Sequence, residues 1–247
     1  MRKFLLPLVV LIVFSCDSDQ DKAGRFFIKG NEALNNSQYD EAIRFYSEAL
    51  AIVPKYKEAL NNRGVAYYQD GRYTEAIIDY SNILVQIDMG YADALRNRAN
   101  AFLADGKYDK ALSDLASLEE QFPDSAYVHF TKGIAFHESK EYQRAVDAFE
   151  KAFELDSNDA EALVNAANSY FSMKEIDRAN ELLNQAEGID ATEPNIYNTK
   201  GLIAMEVGDL DKAHEWFNQA LKMDPGNPYY HNNRGFLNLE INNLDEA

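Results

Sequence analysis

An alanine returns at Ala42, Ala76, Ala111, Ala145, Ala179, Ala213 and Ala247, a period of 34 residues that slips by one only once. A fixed period of this length means that the chain is built from copies of one supersecondary unit. Twelve residues before each alanine stands a second small residue: Gly30, Gly64, Ala99, Gly133, Ala167, Gly201 and Gly235. Small residues at a matched pair of sites let two helices approach closely. Three residues before each alanine lies a large residue: Tyr39, Tyr73, Tyr108, Tyr142, Ile176, Leu210 and Leu244. Four residues after it, in the six complete units, lies another: Tyr46, Tyr80, Leu115, Phe149, Leu183 and Phe217. Offsets of three and four place these side chains on one face of a helix. Turn segments such as Asp70-Gly71-Arg72 and Asp105-Gly106-Lys107 separate two such helices in each unit, with glycine suited to the left-handed residue that ends a helix. The units are therefore helical hairpins, and because one hairpin cannot bury its apolar face alone, they must stack.

Pro54, Pro123 and Pro225 fall between units, where proline stops one helix without damaging the next. The pattern resembles the tetratricopeptide repeat family, whose small residues at the eighth and twentieth positions recur here through seven successive units, with its small twenty-seventh residue and intervening aromatics in most of the complete ones. The resemblance implies an all-α, right-handed α-solenoid of about six and a half hairpins, with repeats at 23–56, 57–90, 92–125, 126–159, 160–193, 194–227 and a partial one at 228–247. Ile83 and Leu118 replace the small residue at the twenty-seventh position, so wider packing is expected there. The last unit stops before a second helix, which leaves Phe236, Leu237 and Leu239 without the partner a solenoid end needs. A longer natural chain, or a second subunit covering this end, is the expectation.

The N-terminus has a different character. Arg2 and Lys3 precede an apolar run from Phe4 to Phe14, followed by Ser15 and Cys16. This is the layout of a secretion signal, and its apolar run reaches only about 17 Å as a helix, short of the ~30 Å hydrocarbon core of a bilayer. Val13-Phe14-Ser15-Cys16 resembles the lipobox of bacterial lipoproteins, which implies a signal peptide at 1–15 and a lipid on Cys16, the only cysteine of the chain. Two or more acyl chains would make that attachment durable. Residues 16–22 read as an acidic flexible tether. The expected location is the bacterial cell envelope, lipid-anchored, with the outer membrane favoured by the acidic segment after Cys16 and inner-membrane retention the alternative that Asp17 directly after Cys16 leaves open.

A formal net charge of −17 argues against nucleic acid as a partner, because phosphate binding draws on clustered lysine and arginine. The sequence contains no glycine-rich phosphate loop, nucleophile elbow or paired metal-ligand motif, so no enzyme, cofactor or metal site is expected. The four histidines are scattered: His129 and His231 occupy a partly buried family position, and His214 lies on a second helix with Trp216.

The resemblance places ligand binding on the concave surface of the first helices. Carried over position by position, the groove candidates are Asn31, Asn61, Asn62, Tyr68, Arg96, Asn97, Asn100, Tyr127, Phe130, His137, Asn165, Asn168, Phe171, Asn198, Met205, Asn232, Asn233 and Phe236. Amides both donate and accept, so a row of them suits the backbone of an extended peptide, while aromatics supply apolar pockets. The competing assignment is packing between repeats, since Asn62, Asn97, Asn165 and Asn233 occupy a slot where the family frequently carries asparagine. The family's basic clamp for a terminal carboxylate is not expected, because Thr131 and Glu161 break the set that Arg96 and Asn100 begin.

Lys29, Arg63, Arg98, Lys132, Lys200 and Arg234 precede the eighth position in six units, and Asp79 and Asp114 lie sixteen residues after Arg63 and Arg98. Ion pairs within repeats, worth about 0–1 kcal/mol each if exposed, account for these better than an anion-binding stripe. Two functions follow: an envelope scaffold that binds proteins or peptides of the envelope, or the recognition arm of a larger enzyme whose catalytic domain lies beyond Ala247. Self-association through the uncapped end is a third.

Overall fold

The computed structural model describes residues 18–241, which form thirteen α-helices and no strand. They are α1 (Asp19–Asn35), α2 (Tyr39–Ile52), α3 (Lys57–Gln69), α4 (Tyr73–Gln86), α5 (Ala92–Ala104), α6 (Tyr108–Gln121), α7 (Ala126–Glu138), α8 (Tyr142–Leu155), α9 (Ala160–Ser172), α10 (Ile176–Ile189), α11 (Pro194–Glu206), α12 (Leu210–Met223) and α13 (Pro228–Glu240). Each odd-numbered helix and the even-numbered helix after it make one hairpin, so the fold is an all-α solenoid. Contacts divide the chain into two compact units, the first ending at Ala94 and the second beginning at Leu95. In the first, α2 packs on α1 and α3, and α3 packs on α4. In the second, α7 touches α9, α9 touches α11 and α11 touches α13, while α8, α10 and α12 each pack on the first helices before and after them. The first helices of that unit therefore form a layer of their own. Residues 1–15, where a signal peptide is expected, and Cys16, Asp17, Leu244 and Ala247 lie outside the described residues.

Residues 19–22 are helical, which corrects the tether expected at 16–22. Ser18 Oγ accepts the Asp21 N–H at 3.1 Å, and Asp21 Oδ2 accepts the Ser18 N–H at 3.1 Å. This reciprocal capping box starts α1 at Asp19, because two amide groups that would otherwise lack partners are satisfied together. Polar composition hid the helix start, since caps are polar by necessity.

All six hairpins turn the same way. The residue after each first helix's cap has positive φ: Ser37 (58°), Gly71 (75°), Gly106 (68°), Lys140 (64°), Lys174 (65°) and Gly208 (80°). The next N–H reaches back five residues, as in Arg72 to Tyr67 O and Glu141 to Phe136 O, both 2.8 Å. This is the Schellman closure of a helix end, for which glycine carries no Cβ penalty.

Within each hairpin the small eighth residue faces the large residue sixteen positions later. A Cβ added to Gly30, Gly64, Gly133 or Gly201 would come within 2.5–2.6 Å of the ring of Tyr46, Tyr80, Phe149 or Phe217. Where the small residue is Ala99 or Ala167, the partner position holds Leu115 or Leu183, both fully buried. Glycine thus accompanies an aromatic ring, and alanine accompanies leucine. Ile83 and Leu118 at the twenty-seventh position are also fully buried. At the far end, Leu237 is buried beside Phe217 and Ala213 rather than left bare, whereas Phe236 and Leu239 remain 54% and 52% exposed.

The basic residues before the eighth position are engaged. Arg63 grips Asp79 through Nε and a terminal nitrogen, both at 2.7 Å, and Arg98 grips Asp114 at 2.8 and 2.7 Å. Both aspartates are buried, so these are not the weak rim pairs of an exposed surface. Burial pushes the Asp79 carboxyl up against the pull of Arg63. Lys132 and Lys200 bind Glu119 and Glu187, Arg234 donates to Asn218 Oδ1 at 2.9 Å, and Lys29 lies 5.7 Å from the Phe45 ring.

Candidate functional site

In the first unit the candidate amides meet one another. Asn31 Oδ1 accepts the Tyr46 hydroxyl at 2.7 Å and Asn62 Nδ2 at 3.0 Å, and Asn61 Nδ2 donates to Asn62 Oδ1 at 3.3 Å. Two donors fill the two lone pairs of the Asn31 carbonyl. Burial pushes the Tyr46 phenol up to about 12, so it remains a donor. Tyr68 packs against the Tyr73 ring at 5.4 Å.

The second unit repeats this arrangement between successive first helices. Thr199 donates to Asn168 Oδ1 at 2.8 Å, Asn233 to Asn198 Oδ1 at 2.8 Å, and the Tyr230 hydroxyl to Asn195 Oδ1 at 2.7 Å. His137 Nδ1 lies 2.9 Å from Ser169 Oγ, whose own hydrogen goes to Asn165 O at 3.0 Å. The imidazole therefore carries its hydrogen on Nδ1, and burial holds its pKa below the usual histidine value. Asn165 turns back along its helix, donating to Glu161 O at 2.9 Å. Phe130 meets Phe149 edge-on at 5.5 Å, and Phe171 and Met205 pack at the edges of buried clusters. Asn97 is half-buried.

Other candidates keep an open surface. Tyr127 is 38% exposed, donates its hydroxyl to Asn100 Oδ1 at 2.9 Å, and lies beneath the exposed Arg96 guanidinium, 5.2 Å from the ring centre. Asn232 is exposed on α13, as are Tyr229 at 75% and Phe236. The candidates thus divide into largely enclosed amides that tie repeat to repeat and a smaller exposed set of Arg96, Tyr127, Asn232 and Phe236, of which Tyr127 is itself tied to Asn100.

Sequence reading missed Ser169, Thr199, Asn195 and Tyr230 as partners. The available signal was a hydrogen-bonding residue 31 or 35 positions after an asparagine, seen in Asn31 with Asn62 and in Asn198 with Asn233. The histidines at the fourth position hold loops: His129 Nε2 meets Pro123 O at 3.0 Å and His231 Nε2 meets Pro225 O at 2.8 Å, as the Tyr197 hydroxyl meets Ala191 O at 2.9 Å. His129 is buried, but His231 is exposed, which corrects its expected partial burial. Trp216 packs 5.8 Å from the Tyr197 ring. Among the described residues no helix is long and apolar enough to cross a membrane, and no cluster of three or more His, Cys, Asp or Glu is placed to hold a metal ion.

Solved structures share this architecture. A tetratricopeptide repeat protein from Parabacteroides merdae is 20% identical with a TM-score of 0.71, over 87% of this chain and 84% of its own. MamA from Desulfovibrio magneticus, residues 41 to the end, is 19% identical with a TM-score of 0.67, over 71% of this chain and 99% of its own. The pilF protein of Pseudomonas aeruginosa is 18% identical with a TM-score of 0.66, over 90% of this chain and 100% of its own. At these identities the likeness is one of fold. Models of the tetratricopeptide repeat match residues 29–92, 96–160, 136–203 and 194–227, so the chain belongs to the tetratricopeptide repeat family.

Proposed function

We propose that this chain is a non-catalytic scaffold of the bacterial cell envelope, held to the outer membrane by lipid on Cys16, whose first helices bind peptide segments of partner proteins. The observation that carries the binding reading is the open set on the first helices of the second unit. Arg96 and Tyr127 present a guanidinium stacked on a ring at an exposed surface, and Asn232 and Phe236 present an amide and a second ring. The bonded amides beside them hold neighbouring helices in register, so the open side chains stand on a fixed platform and lose little freedom on binding. Aromatics and arginine on such a platform are the residue types that anchor partners.

The anchor reading rests on the run from Arg2 to Cys16. Cys16 lies three residues before α1 begins at Asp19, which spans at most about 10 Å of extended chain. A lipid there would keep the first hairpin close to the bilayer, where the acidic body is repelled by anionic headgroups and needs the lipid to stay.

The test is a crosslinking capture from intact cell envelopes with three forms of the protein: native, Cys16→Ala, and Arg96→Ala/Tyr127→Ala. Native protein should capture specific envelope proteins. Cys16→Ala should leave the membrane fraction, and the double variant should retain full helicity while losing roughly tenfold of its capture, equivalent to one well-placed anchor side chain. Retention of Cys16→Ala in the membrane would refute the anchor; undiminished capture by the double variant would refute the groove.

A further inference from the structure

The second hairpin carries a surface that no other hairpin has. On and just after α4, Ile78, Val85 and Met89 are 54%, 80% and 83% exposed. Within α4, Ile78, Asn82 and Val85 follow the spacing four and three, which lines one stripe of a helix at the 3.5-residue period of helix pairing, and Met89 adds an apolar side chain from the turn that follows. The four matching positions hold Arg44, Glu48, Ala51 and Lys55 in the first hairpin and Asp147, Lys151, Glu154 and Asn158 in the fourth. No large apolar residue occupies any of them in the first, third, fourth, fifth or sixth hairpin. Family architecture therefore does not require apolar side chains here.

The surroundings of the stripe are electrically quiet. Thr74, Ser81 and Gln86 flank it, and each acidic residue nearby is matched within its own unit: Glu75 by Arg72 at 3.1 Å, Asp79 by Arg63, and Asp88 by Lys57 at 3.4 Å. A lipid surface would want basic residues at the rim, and a basic partner would want unmatched acid; the stripe offers neither. What fits an uncharged apolar stripe is another of the same kind. In a chain of net charge −17, like charges oppose contact between copies almost everywhere else. Asn82 at the centre, now accepting from Gln86 at 3.2 Å, is the polar residue that fixes register when two such helices pair.

We infer that α4 is a self-association surface, on which a second copy of this chain docks its own α4 through Ile78, Asn82, Val85 and Met89. One helix face from each partner lies at the small end of specific interfaces, so the dimer is reversible. The inference is independent of the lipid anchor and of the groove.

Sedimentation velocity on the purified full chain over a roughly hundredfold concentration range tests it. The native chain should show a monomer–dimer equilibrium that tightens as salt screens the acidic bodies. Ile78→Glu/Val85→Glu and Ile78→Lys/Val85→Lys should each weaken the dimer by about tenfold or more while leaving circular dichroism unchanged. An equal mixture of the two should restore dimers, since acid then faces base in either helix orientation, a rescue that misfolding could not produce. A native chain that stays monomeric overturns the inference, as does a dimer indifferent to these substitutions, a mixture that fails to re-associate, or a monomer that uses Ile78 and Val85 to sediment with lipid vesicles.

Discussion

The fourth and fifth hairpins stand side by side in the second unit and solve one packing problem in two ways. In the fourth, Gly133 on α7 leaves room for the Phe149 ring, which is 1% exposed and meets Phe130 edge-on. In the fifth, Ala167 on α9 meets the shorter Leu183, which is fully buried. Both interfaces close without exposing either partner, so what the fold specifies is the combined size of the pair and not either residue. Glycine costs roughly 1 kcal/mol of helix propensity relative to alanine, and the larger buried area of phenylalanine offsets that cost.

Breaking the match should give the largest effects. Gly133→Ala puts a Cβ 2.6 Å from two Phe149 ring atoms, an overlap the enclosed ring cannot relieve by swinging outward. Overpacking of this kind costs about 1–3 kcal/mol, and a net loss of up to about 2 kcal/mol is expected after the gain of roughly 1 kcal/mol in helix propensity. Adding Phe149→Leu converts the fourth hairpin to the pair found in the fifth and should recover most of that loss, to within about 1 kcal/mol of the native chain. The mirror experiment, Leu183→Phe, should be costly alone and relieved by Ala167→Gly. Urea denaturation of the singles and doubles measures the coupling. If each pair of substitutions simply added, the two sites would not be sharing one volume.

The repeat spacing made these pairs legible as two columns of residues, one small and one large, and with them the helical hairpins and their stacking. Their row-by-row matching emerged only from the distance between Gly133 and Phe149. Side-chain hydrogen bonds were less legible for a physical reason. Asn165 and Asn168 look equivalent as composition, yet one bonds its own helix at Glu161 O and the other bonds the next repeat at Thr199. An amide's choice depends on rotamer and neighbour, which no period encodes. The start of α1 is illegible in composition because its cap, Ser18 with Asp21, is as polar as a flexible tether.

The two hairpins are alike at their turns, and there they differ from the second, third and sixth. Lys140 and Lys174 hold φ of 64° and 65° where Gly71, Gly106 and Gly208 stand in the others. A residue with a Cβ is strained in this conformation by about 1 kcal/mol, partly offset by the extra freedom glycine gives the unfolded chain. Lys140→Gly and Lys174→Gly should therefore each stabilise by about 0.5 kcal/mol, visible as a small rise in Tm. A fall in Tm for both would mean that the lysine side chains contribute more than their backbone strain costs.

The smallest effect concerns the contact that joins these hairpins, His137 on α7 with Ser169 on α9. Burial lowers the His137 pKa from 6.5, opposed by the nearby Glu138 charge. The folded state therefore takes up its proton at lower pH than the unfolded state. As pH falls through 6.5 the unfolded chain gains a proton that the folded chain does not, so stability is full above that value and declines below it. Glu161, whose pKa burial raises, contributes in the opposite sense, losing stability as pH rises through its folded value. Comparing native protein with His137→Gln cancels that contribution and isolates the histidine. Between about pH 7.5 and 5.5 the native chain should lose a few tenths of a kcal/mol more than the variant. Equal losses would mean that the Nδ1 hydrogen to Ser169 can be kept after protonation at Nε2 without a desolvation cost, and that the edge of the imidazole is wetter than its burial implies.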